Sequence, residues 1–429
     1  MHIINVTDFQ RGIYMNPNNI DRGNLRVNVT SQVNSVPIPD ARISIAYTGV
    51  PNSTIEEITT NSSGQTEIVE LATPPLEYSI NPTIESQPYS EYTLTISAPD
   101  YEPVSISGTE LLPTVTAIQN VSMRPLSLTN RQEEVFVIPA HTLYGDYPPK
   151  IPESEIKPIA QTGEIVLSRV VVPEYIVVHD GSPRDSTAQN YYVKYRDYIK
   201  NVASSEIYAT WTPETIRANV LAIMSFTLNR VYTEWYRNQG YDFTITSSTA
   251  FDHKWIPERN YYDTISVIVD ELFASYLSRP NVRQPILTQY CDGRRVTCPN
   301  WMTQWGSQSL GEQGYSAIEI LRYFYGDNMY INTAEEISGI PSSWPGYNLT
   351  EGSTGDKVRQ MQEQLNVIAG AYPAIPRVTV DGIYGPGTDA SVREFQSVFG
   401  LPVTGVTDYT TWYKISEIYV GVSRIAELV

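Results

Sequence analysis

The spacing of the apolar residues changes partway along this chain, and the change limits its fold more than any other feature. Within residues 24–123 apolar and polar residues alternate, as at Leu25, Val27 and Val29, which is typical of strands with one buried face. After Pro213 apolar residues recur at steps of three and four, which predicts a helix with one buried stripe that ends at Gly240, and a similar run predicts a further helix at 265–277. The 429 residues also exceed one ordinary hydrophobic core. We therefore expect a multidomain α+β protein.

Prolines and turn residues divide the chain into four parts. Residues 1–127 contain alternating runs separated by turns such as Asn61-Ser62-Ser63-Gly64, which predicts an N-terminal β-sandwich of immunoglobulin-like type. Residues 128–169 are rich in proline and predict an extended linker that is open to proteases. A new apolar run then begins a central α+β domain at 170–345, and glycine-rich turns mark a last unit at 346–429.

The charge and hydropathy of the chain exclude several classes of partner. A formal net charge of -18 argues against nucleic acid, because no basic stripe is present to displace counterions from phosphates. No apolar run of about eighteen residues occurs, so we expect no membrane span. The first ten residues lack the basic and apolar blocks of a secretory signal, so we expect no signal peptide there.

Two glutamates in the middle of the chain are candidates for acid–base chemistry. Glu206 ends a segment in which Tyr198 and Val202 predict one packed helical face, and burial there would suit a carboxyl group that must hold a proton. Glu214 takes the second position of a helix predicted to start after the N-cap Thr212, where the helix dipole favours a charged carboxylate. From the residues alone, a solvated glutamate at a helix end is the more common explanation of Glu206.

The segment around Glu206 resembles a known catalytic domain. Tyr198-Ile199-Lys200-Asn201-Val202-Ala203-Ser204-Ser205-Glu206, followed by Trp211 and a long helix, is similar to the SpoIID-like domain of bacterial lytic transglycosylases. In that family a glutamate closes a Tyr-x-x-x-Val-x-small-small-Glu segment. The resemblance implies that Glu206 is the catalytic residue, and that the reaction is the non-hydrolytic cleavage of peptidoglycan glycan strands.

A second block supports the same resemblance. Trp301-Met302-Thr303-Gln304-Trp305-Gly306 is similar to the Met-Ser-Gln-aromatic-Gly element of SpoIID-like domains. We expect Tyr290, Gln304 and Trp305 to line a sugar-binding cleft together with Glu214, because aromatic faces suit sugar rings and an amide can bond an N-acetyl group. Many relatives have a histidine before this element, whereas this chain has Cys298-Pro299-Asn300.

Histidine and cysteine are too few for an obvious metal centre. The histidines are scattered along the chain: His2, His141, His179 and His253. A surface or loop histidine is a more common explanation of His253 than a metal ligand. Where several SpoIID-like enzymes carry a Cys and His metal pair, this chain has Ser247-Ser248-Thr249, so we expect no metal and no cofactor. Cys291 and Cys298 are close enough in sequence for a local disulfide, and two reduced thiols are equally compatible with the spacing.

The last part of the chain carries a different signature. Val380-Asp381-Gly382-Ile383-Tyr384-Gly385, with Phe395-Gln396 and Thr411-Trp412, resembles the small helical peptidoglycan-binding domain. Glycines at 382 and 385 allow a tight turn between helices, which Asp381 can cap. Most of these residues are expected to build the fold, and Tyr384 and Trp412 mark the region where we expect sugar contacts.

The order of the parts resembles that of the spore cortex-lytic enzymes of spore-forming anaerobes, and the N-terminal part itself resembles carboxypeptidase-regulatory-like modules. The resemblance implies a precursor, with residues 1–127 as a pro-region, held in the spore cortex or coat region. It further implies activation by a subtilisin-like protease that cuts between the N-terminal part and the catalytic domain, and cortex peptidoglycan as the substrate. The alternative is a non-catalytic peptidoglycan-binding protein that recruits or enhances a separate wall hydrolase.

Overall fold

The N-terminal part of the molecule is built from two sheets. The computed structural model describes residues 20–33, 35–126, 133–158, 167–338 and 344–423. Its first elements are β1 (Asp21–Ser31), β2 (Arg42–Tyr47), β3 (Thr54–Thr59), β4 (Val69–Thr73), α1 (Glu77–Ile80), β5 (Ser90–Ser97), β6 (Val104–Leu111), β7 (Thr116–Met123) and β8 (Glu134–Val137). One sheet has the order β3-β2-β5-β6-β8, and in the other β1 lies between β7 and β4. We call residues 21–123 the N-terminal module.

Strand β1 shows why these residues form a sheet. It pairs in parallel with β7, with Asn24 opposite Thr116, and antiparallel with β4. Leu25, Val27 and Val29 are buried while the residues between them are partly exposed, which is the alternation that the sequence shows. The inward-facing apolar side chains of both sheets belong to one hydrophobic core.

The central part mixes short strands with helices. Its elements are β9 (Val171–Val172), β10 (Tyr175–His179), β11 (Asn190–Lys194), α2 (Tyr195–Glu206), α3 (Pro213–Tyr232), β12 (Ile245–Thr246), β13 (Tyr261–Tyr262), α4 (Asp263–Leu272), β14 (Ser275–Ser278), β15 (Tyr290–Cys291), β16 (Met302–Thr303), α5 (Gln304–Glu312), α6 (Ala317–Tyr325), β17 (Tyr330–Thr333) and β18 (Glu336–Ile337). Helix α3 is the centre, since it contacts α2, α4, α5, α6 and β14.

Two helix ends differ from the sequence prediction. Helix α3 begins as predicted, with Thr212 accepting a hydrogen bond from the Thr215 N–H, but it ends at Tyr232 rather than at Gly240. Glu234 has a φ of 45°, which breaks the helix, and Gly240 closes a short 3-10 turn instead. Helix α4, expected to run to residue 277, stops at Leu272 because residues 275–278 pair with β17 as a strand.

The described residues of the predicted linker do not form an open spacer. Strand β8 pairs in parallel with β6 of the N-terminal module. Further along, the Lys150 side chain is buried, and Glu153 pairs with the buried Arg230 of α3, with Nη2 and Oε1 2.6 Å apart. The prolines interrupt the regular spacing of apolar residues in this stretch, but they do not prevent it from packing against the rest of the protein. Residues 128–132 and 159–166 of this stretch lie outside the described part of the chain, and the predicted domain boundaries stay predictions.

Three helices form the C-terminal domain: α7 (Asp356–Ala371), α8 (Pro386–Val398) and α9 (Tyr409–Ser423). The turn before α8 depends on Gly382, whose φ is 76°, and on Gln362, whose Oε1 accepts hydrogen bonds from the N–H groups of Asp381 and Gly382. Asp381 Oδ1 in turn accepts from the Ile383 N–H at 2.8 Å. The predicted multidomain α+β fold with a small helical C-terminal domain is confirmed, whereas the β-sandwich and SpoIID-like assignments stay predictions.

Helix α9 is joined to the central part by buried charges. Arg196 of α2 lies 3.4 Å from Asp270 and 3.5 Å from Glu417, and Lys200 donates to Asp270 at 2.7 Å. Arg196 also lies over the ring of Phe273. Because α2 ends at the candidate acid, one helix connects the acid to the C-terminal domain. Within the described ranges, no helix is both long enough and apolar enough to cross a membrane.

Candidate functional site

Glu206 is the last residue of α2, and its side chain is held inside the protein. Only 4% of the residue is exposed. The following residue, Ile207, leaves the helix with extended backbone, and its N–H donates to the carbonyl of Ala203. Small residues at Ala203, Ser204 and Ser205 allow the neighbouring segments to approach this last turn closely, as the sequence suggested. The predicted acid is therefore buried at a helix end.

Both carboxylate oxygens of Glu206 accept hydrogen bonds. Oε1 accepts from the backbone N–H of Lys254 at 2.8 Å, and Oε2 accepts from Nε2 of Gln304 at 3.2 Å. The same Gln304 nitrogen also donates to the Glu206 carbonyl at 2.7 Å. Gln304 therefore holds both the side chain and the backbone of Glu206, which is a positioning role, and its expected bond to an N-acetyl group stays a prediction.

A pocket with an empty volume of about 480 Å³, partly open to solvent, adjoins the carboxylate. We call it the acid pocket. Its lining residues come from both sides of the cleft: Thr142, Gly145, Tyr147, Pro148, Pro149, Lys150, Glu206, Thr249, Tyr290, Cys291, Asp292, Arg295, Val296 and Gln304. Residues 142–150, which we call the overlying segment, come from the predicted linker. Of the predicted site residues, Glu206, Tyr290, Cys291 and Gln304 meet here.

Tyr290 presents a polar atom beside Glu206. Its hydroxyl is buried, and the polar group that acts on it most strongly is the Glu206 carboxylate. Burial, and then the charge of Glu206, raise the pKa of Tyr290 well above its ordinary value. The hydroxyl therefore stays protonated at neutral pH, beside the Glu206 carboxylate.

Two residues that pack against the Tyr290 ring were not predicted from the sequence as part of the site. Lys150 is buried with Nζ 4.9 Å from the centre of the Tyr290 ring, and it donates to the carbonyl of Asp252. Burial lowers the pKa of Lys150, against the charge of Glu206, which raises it. His253, expected in an exposed or loop position, is fully buried and stacks on Tyr290 at 5.8 Å between ring centres. No local sequence pattern predicted the positions of Lys150 and His253, because the residues that they contact lie far away in the sequence.

Other parts of the chain donate hydrogen bonds to the backbone carbonyls at the end of α2. The Ser204 carbonyl accepts from Arg259 Nε at 3.1 Å and from Arg259 Nη2 at 2.6 Å. The Ser205 carbonyl accepts from the Thr142 N–H at 3.1 Å and from the Thr142 hydroxyl at 2.6 Å. A helix end leaves such carbonyls without intrahelical partners, so these contacts fix the turn that carries Glu206.

Glu214 and Trp305 lie outside the acid pocket. Glu214 caps the start of α6, where its Oε2 accepts from the Ala317 N–H at 2.7 Å, and it lies 3.6 Å from Arg217. The ring of Trp305 packs against Tyr208 and against Trp211, at 6.0 and 5.1 Å between ring centres. The structure thus separates these two residues from Glu206, and their predicted sugar contacts stay predictions.

Tyr384 and Trp412 are core residues of the C-terminal domain. Tyr384 is 0% exposed and donates its hydroxyl proton to the Gly405 carbonyl at 2.7 Å. Trp412 is 1% exposed. We expected sugar contacts near these positions, but both rings are buried and neither offers a face to a sugar. A strong motif identified the domain, but it could not tell core aromatics from surface ones.

The two cysteines form a disulfide that closes a loop beside the pocket. Cys291 and Cys298 are bonded, with Cα atoms 5.9 Å apart. Arg295 in this loop donates to the carbonyls of Tyr144 and Gly145, which belong to the overlying segment. Of the two alternatives left open by the sequence, the structure has the bridge. Among the residues described, no group of three or more His, Cys, Asp or Glu side chains could hold a metal ion.

Comparisons with known proteins identify the C-terminal domain. Residues 354–415 match the family of peptidoglycan binding domains. The zinc D-Ala-D-Ala carboxypeptidase of Streptomyces albus G is 40% identical over 77 residues, which are 18% of this chain and 28% of that protein. An uncharacterized protein of Kitasatospora aureofaciens, from the bpoA1 3' region, is 37% identical over 68 residues, 16% of this chain and 53% of that protein. The chain thus spans about half or less of these relatives.

Two solved structures give weaker likenesses. The N-terminal domain of SleB is 28% identical and covers 18% of this chain and 99% of that chain, with a TM-score of 0.16. Catechol 1,2-dioxygenase of Acinetobacter sp. ADP1 is 13% identical over 29% of this chain and 61% of its own, with a TM-score of 0.18. Neither TM-score supports an argument about fold. Residues 354–415 are thus identified as a domain of the peptidoglycan-binding type.

Proposed function

We propose that this protein is the precursor of a lytic transglycosylase of the SleC type, which degrades spore cortex peptidoglycan during germination. The observation that carries the proposal is the position of Glu206, a buried carboxylate at the edge of a pocket that Tyr290 also lines. The peptidoglycan-binding domain supports the substrate class. The match to the SpoIID-like sequence pattern supports the reaction type.

The chemistry requires one carboxyl group. Glu206 protonates the glycosidic oxygen between N-acetylmuramic acid and N-acetylglucosamine, and positive charge develops at the anomeric carbon as the bond breaks. The C6 hydroxyl of the same muramic acid then attacks that carbon, and Glu206 takes the hydroxyl proton. The product is a 1,6-anhydro ring. An internal nucleophile needs no second carboxylate to activate water, and it benefits from proximity.

The neighbours of Glu206 receive distinct roles in this proposal. Gln304 and the Lys254 N–H orient the carboxylate. Tyr290 lines the pocket beside the Glu206 carboxylate, and its ring contacts the sugar. Arg259 and Thr142 hold the last turn of α2 in place. A misplaced acid costs rate steeply, so such support matters for catalysis.

The precursor state is supported by the overlying segment. Thr142, Pro148 and Lys150 form one side of the acid pocket and come from the stretch that the sequence predicts as a linker. We propose that a subtilisin-like protease cuts within residues 128–169, and that the protein is held in the spore cortex or coat region. Peptide mapping of protein recovered from germinating spores tests this. A cut inside residues 170–345 would contradict it.

A second candidate is a non-catalytic peptidoglycan-binding protein that recruits or enhances a separate hydrolase. The observation that favours it is that both Glu206 oxygens already accept hydrogen bonds from the protein itself. The matched family model also covers only the C-terminal domain. A binder of this kind would leave the glycan strands intact.

Digestion of purified cortex peptidoglycan separates the two candidates. The activated protein is compared with its Glu206→Gln and Glu214→Gln variants, and the release of soluble fragments is followed. We expect Glu206→Gln to lose activity by at least about a hundredfold, the lower end of what a general acid contributes. Glu214→Gln is the control, since Glu214 lies outside the acid pocket, and it should keep most activity. Full activity of Glu206→Gln would end the assignment.

A further inference from the structure

The central part of the chain supplies a strand to the N-terminal module. Strand β13 pairs antiparallel with β7, with Tyr261 opposite Ile118 and Tyr262 opposite Ala117. The four-stranded sheet therefore has the order β13-β7-β1-β4, in which three strands come from the module and one from the central part. Strand β8, on the far side of residues 127–132, pairs with β6 of the module as well. Both sheets of the module thus continue into the rest of the protein.

A buried polar cluster lies beside this shared sheet. Glu110 of β6 forms an ion pair with Arg259, with Oε2 and Nη2 2.7 Å apart, and both side chains are at most 1% exposed. The backbone of Glu110 exchanges two hydrogen bonds with the side chain of Asn260, at 3.0 and 2.9 Å. Its carbonyl also accepts from the Tyr262 hydroxyl at 3.0 Å. One residue of the module therefore binds three residues of the central part.

Arg259 continues this contact to the candidate acid. The nitrogen that meets Glu110, Nη2, also donates to the Ser204 carbonyl at 2.6 Å, and Nε donates to the same carbonyl at 3.1 Å. Ser204 stands two residues before Glu206 in the last turn of α2. Glu110 thus orients the guanidinium that fixes the helix end. The carboxylate at 110 acts on the acid through Arg259 and does not line the pocket.

We propose that the N-terminal module remains bound as a subunit after the chain is cut, and that Glu110 is a positioning residue for Glu206. The second half of this proposal rests on the proposed function, whereas the first half does not. A cut breaks one peptide bond, but it leaves the shared sheet and the buried cluster in place. The cut then ends the covalent link between the pro-region and the rest of the protein without releasing the pro-region.

The first experiment measures retention. A recognition sequence for a site-specific protease replaces residues 127–132, the purified full chain is cut, and the product is analysed by size-exclusion chromatography and native mass spectrometry. We expect the two fragments to migrate together as a 1:1 complex at about 1 μM, the concentration at which an interface of moderate affinity still holds. Separation of the fragments at that concentration would overturn the proposal.

Variants show whether the buried cluster holds the interface. Glu110→Gln leaves the Arg259 charge buried without its counter-charge, so the dissociation constant of the cut complex should rise by a factor on the order of a hundred. Glu56→Gln is the matched control, because Glu56 is an exposed acid on β3 of the same module. Equal dissociation constants for the two variants would overturn the role of the cluster.

The second experiment measures positioning in the uncut and in the cut protein. Glu110→Gln should lower kcat on cortex peptidoglycan at least about tenfold while KM stays unchanged, and Glu110→Asp should restore part of the loss. Circular dichroism confirms that each variant is folded. An unchanged kcat for Glu110→Gln would overturn the positioning role. Failure of the proposed function has a different signature, since an active Glu206→Gln protein would refute that function and leave the retention result intact.

Discussion

Replacing Gln304 by leucine should disturb both the stability and the activity of the central part. The change removes two hydrogen bonds, one to the Glu206 carbonyl at 2.7 Å and one to its carboxylate at 3.2 Å. A bond to a neutral carbonyl contributes about 1 kcal/mol, and one to a charged group about 1.5 to 3 kcal/mol, the longer bond being at the lower end. Since leucine nearly fills the volume of glutamine, we expect the free energy of unfolding to fall by about 2–4 kcal/mol.

The same variant should lower activity, because the carboxylate loses one of its two supports. We expect kcat on cortex peptidoglycan to fall by about 10–100-fold. Urea unfolding followed by tryptophan fluorescence measures the stability, and soluble fragment release measures the rate.

Gln308 supplies the matched control for Gln304. It is a buried glutamine one turn further along α5, and it bonds Glu312 rather than Glu206. Gln308→Leu should cost about 1 kcal/mol and leave kcat unchanged. If Gln304→Leu behaves like Gln308→Leu in both assays, Gln304 does not position the acid and the reasoning fails.

Three further predictions concern other parts of the structure. Replacing Cys291 and Cys298 by serine opens a loop of eight residues beside the pocket, so the free energy of unfolding should fall by about 2–3 kcal/mol in urea, and a reductant should then have no further effect. Burial raises the pKa of Asp270 and of Glu417, but the neighbouring cations together have the larger effect and lower both pKa values. The stabilisation that these two charged carboxylates give is therefore complete above the usual carboxyl pKa of about 4 and is lost as the pH falls. The Tm gap between the wild type and Asp270→Asn should therefore narrow from pH 7 to pH 3, and a constant gap would contradict the pairing. Trp412→Ala should destabilise the C-terminal domain by about 3–5 kcal/mol because the ring is core, whereas a ligand-contacting ring would leave the unfolding curve unchanged.

Local signals in the sequence predicted the parts of the fold that are decided locally. Thr212 followed by Pro213 fixes the start of α3, and the alternation around Val27 fixes β1. The end of α3 was not predictable, because it depends on the backbone of Glu234, whose positive φ has no mark in the sequence. The two-residue strand β13 was not predictable from the sequence either, since it is defined only by its pairing with β7.

The residues of the candidate site also fall into two groups: those that local sequence patterns predicted and those that they did not. Glu206 and Gln304 were found through sequence patterns, and the structure brings them into contact. Lys150 and Arg259 were missed because they reach the site from segments about fifty residues away from Glu206 in the chain, and no periodic pattern records such a contact. Trp412 shows the opposite error: an aromatic residue in a recognised motif suggested a ligand, and burial shows that it packs the core.

The chemistry of the cleaved bond tests the central claim most directly. Purified cortex peptidoglycan is digested by the activated protein in water enriched in oxygen-18, and the fragments are analysed by mass spectrometry. We expect 1,6-anhydromuramic ends without the heavy isotope, because the C6 hydroxyl rather than water attacks the anomeric carbon, and we expect no such ends from the Glu206→Gln variant. Reducing muramic acid ends that carry oxygen-18, or the same products from Glu206→Gln, would contradict the account.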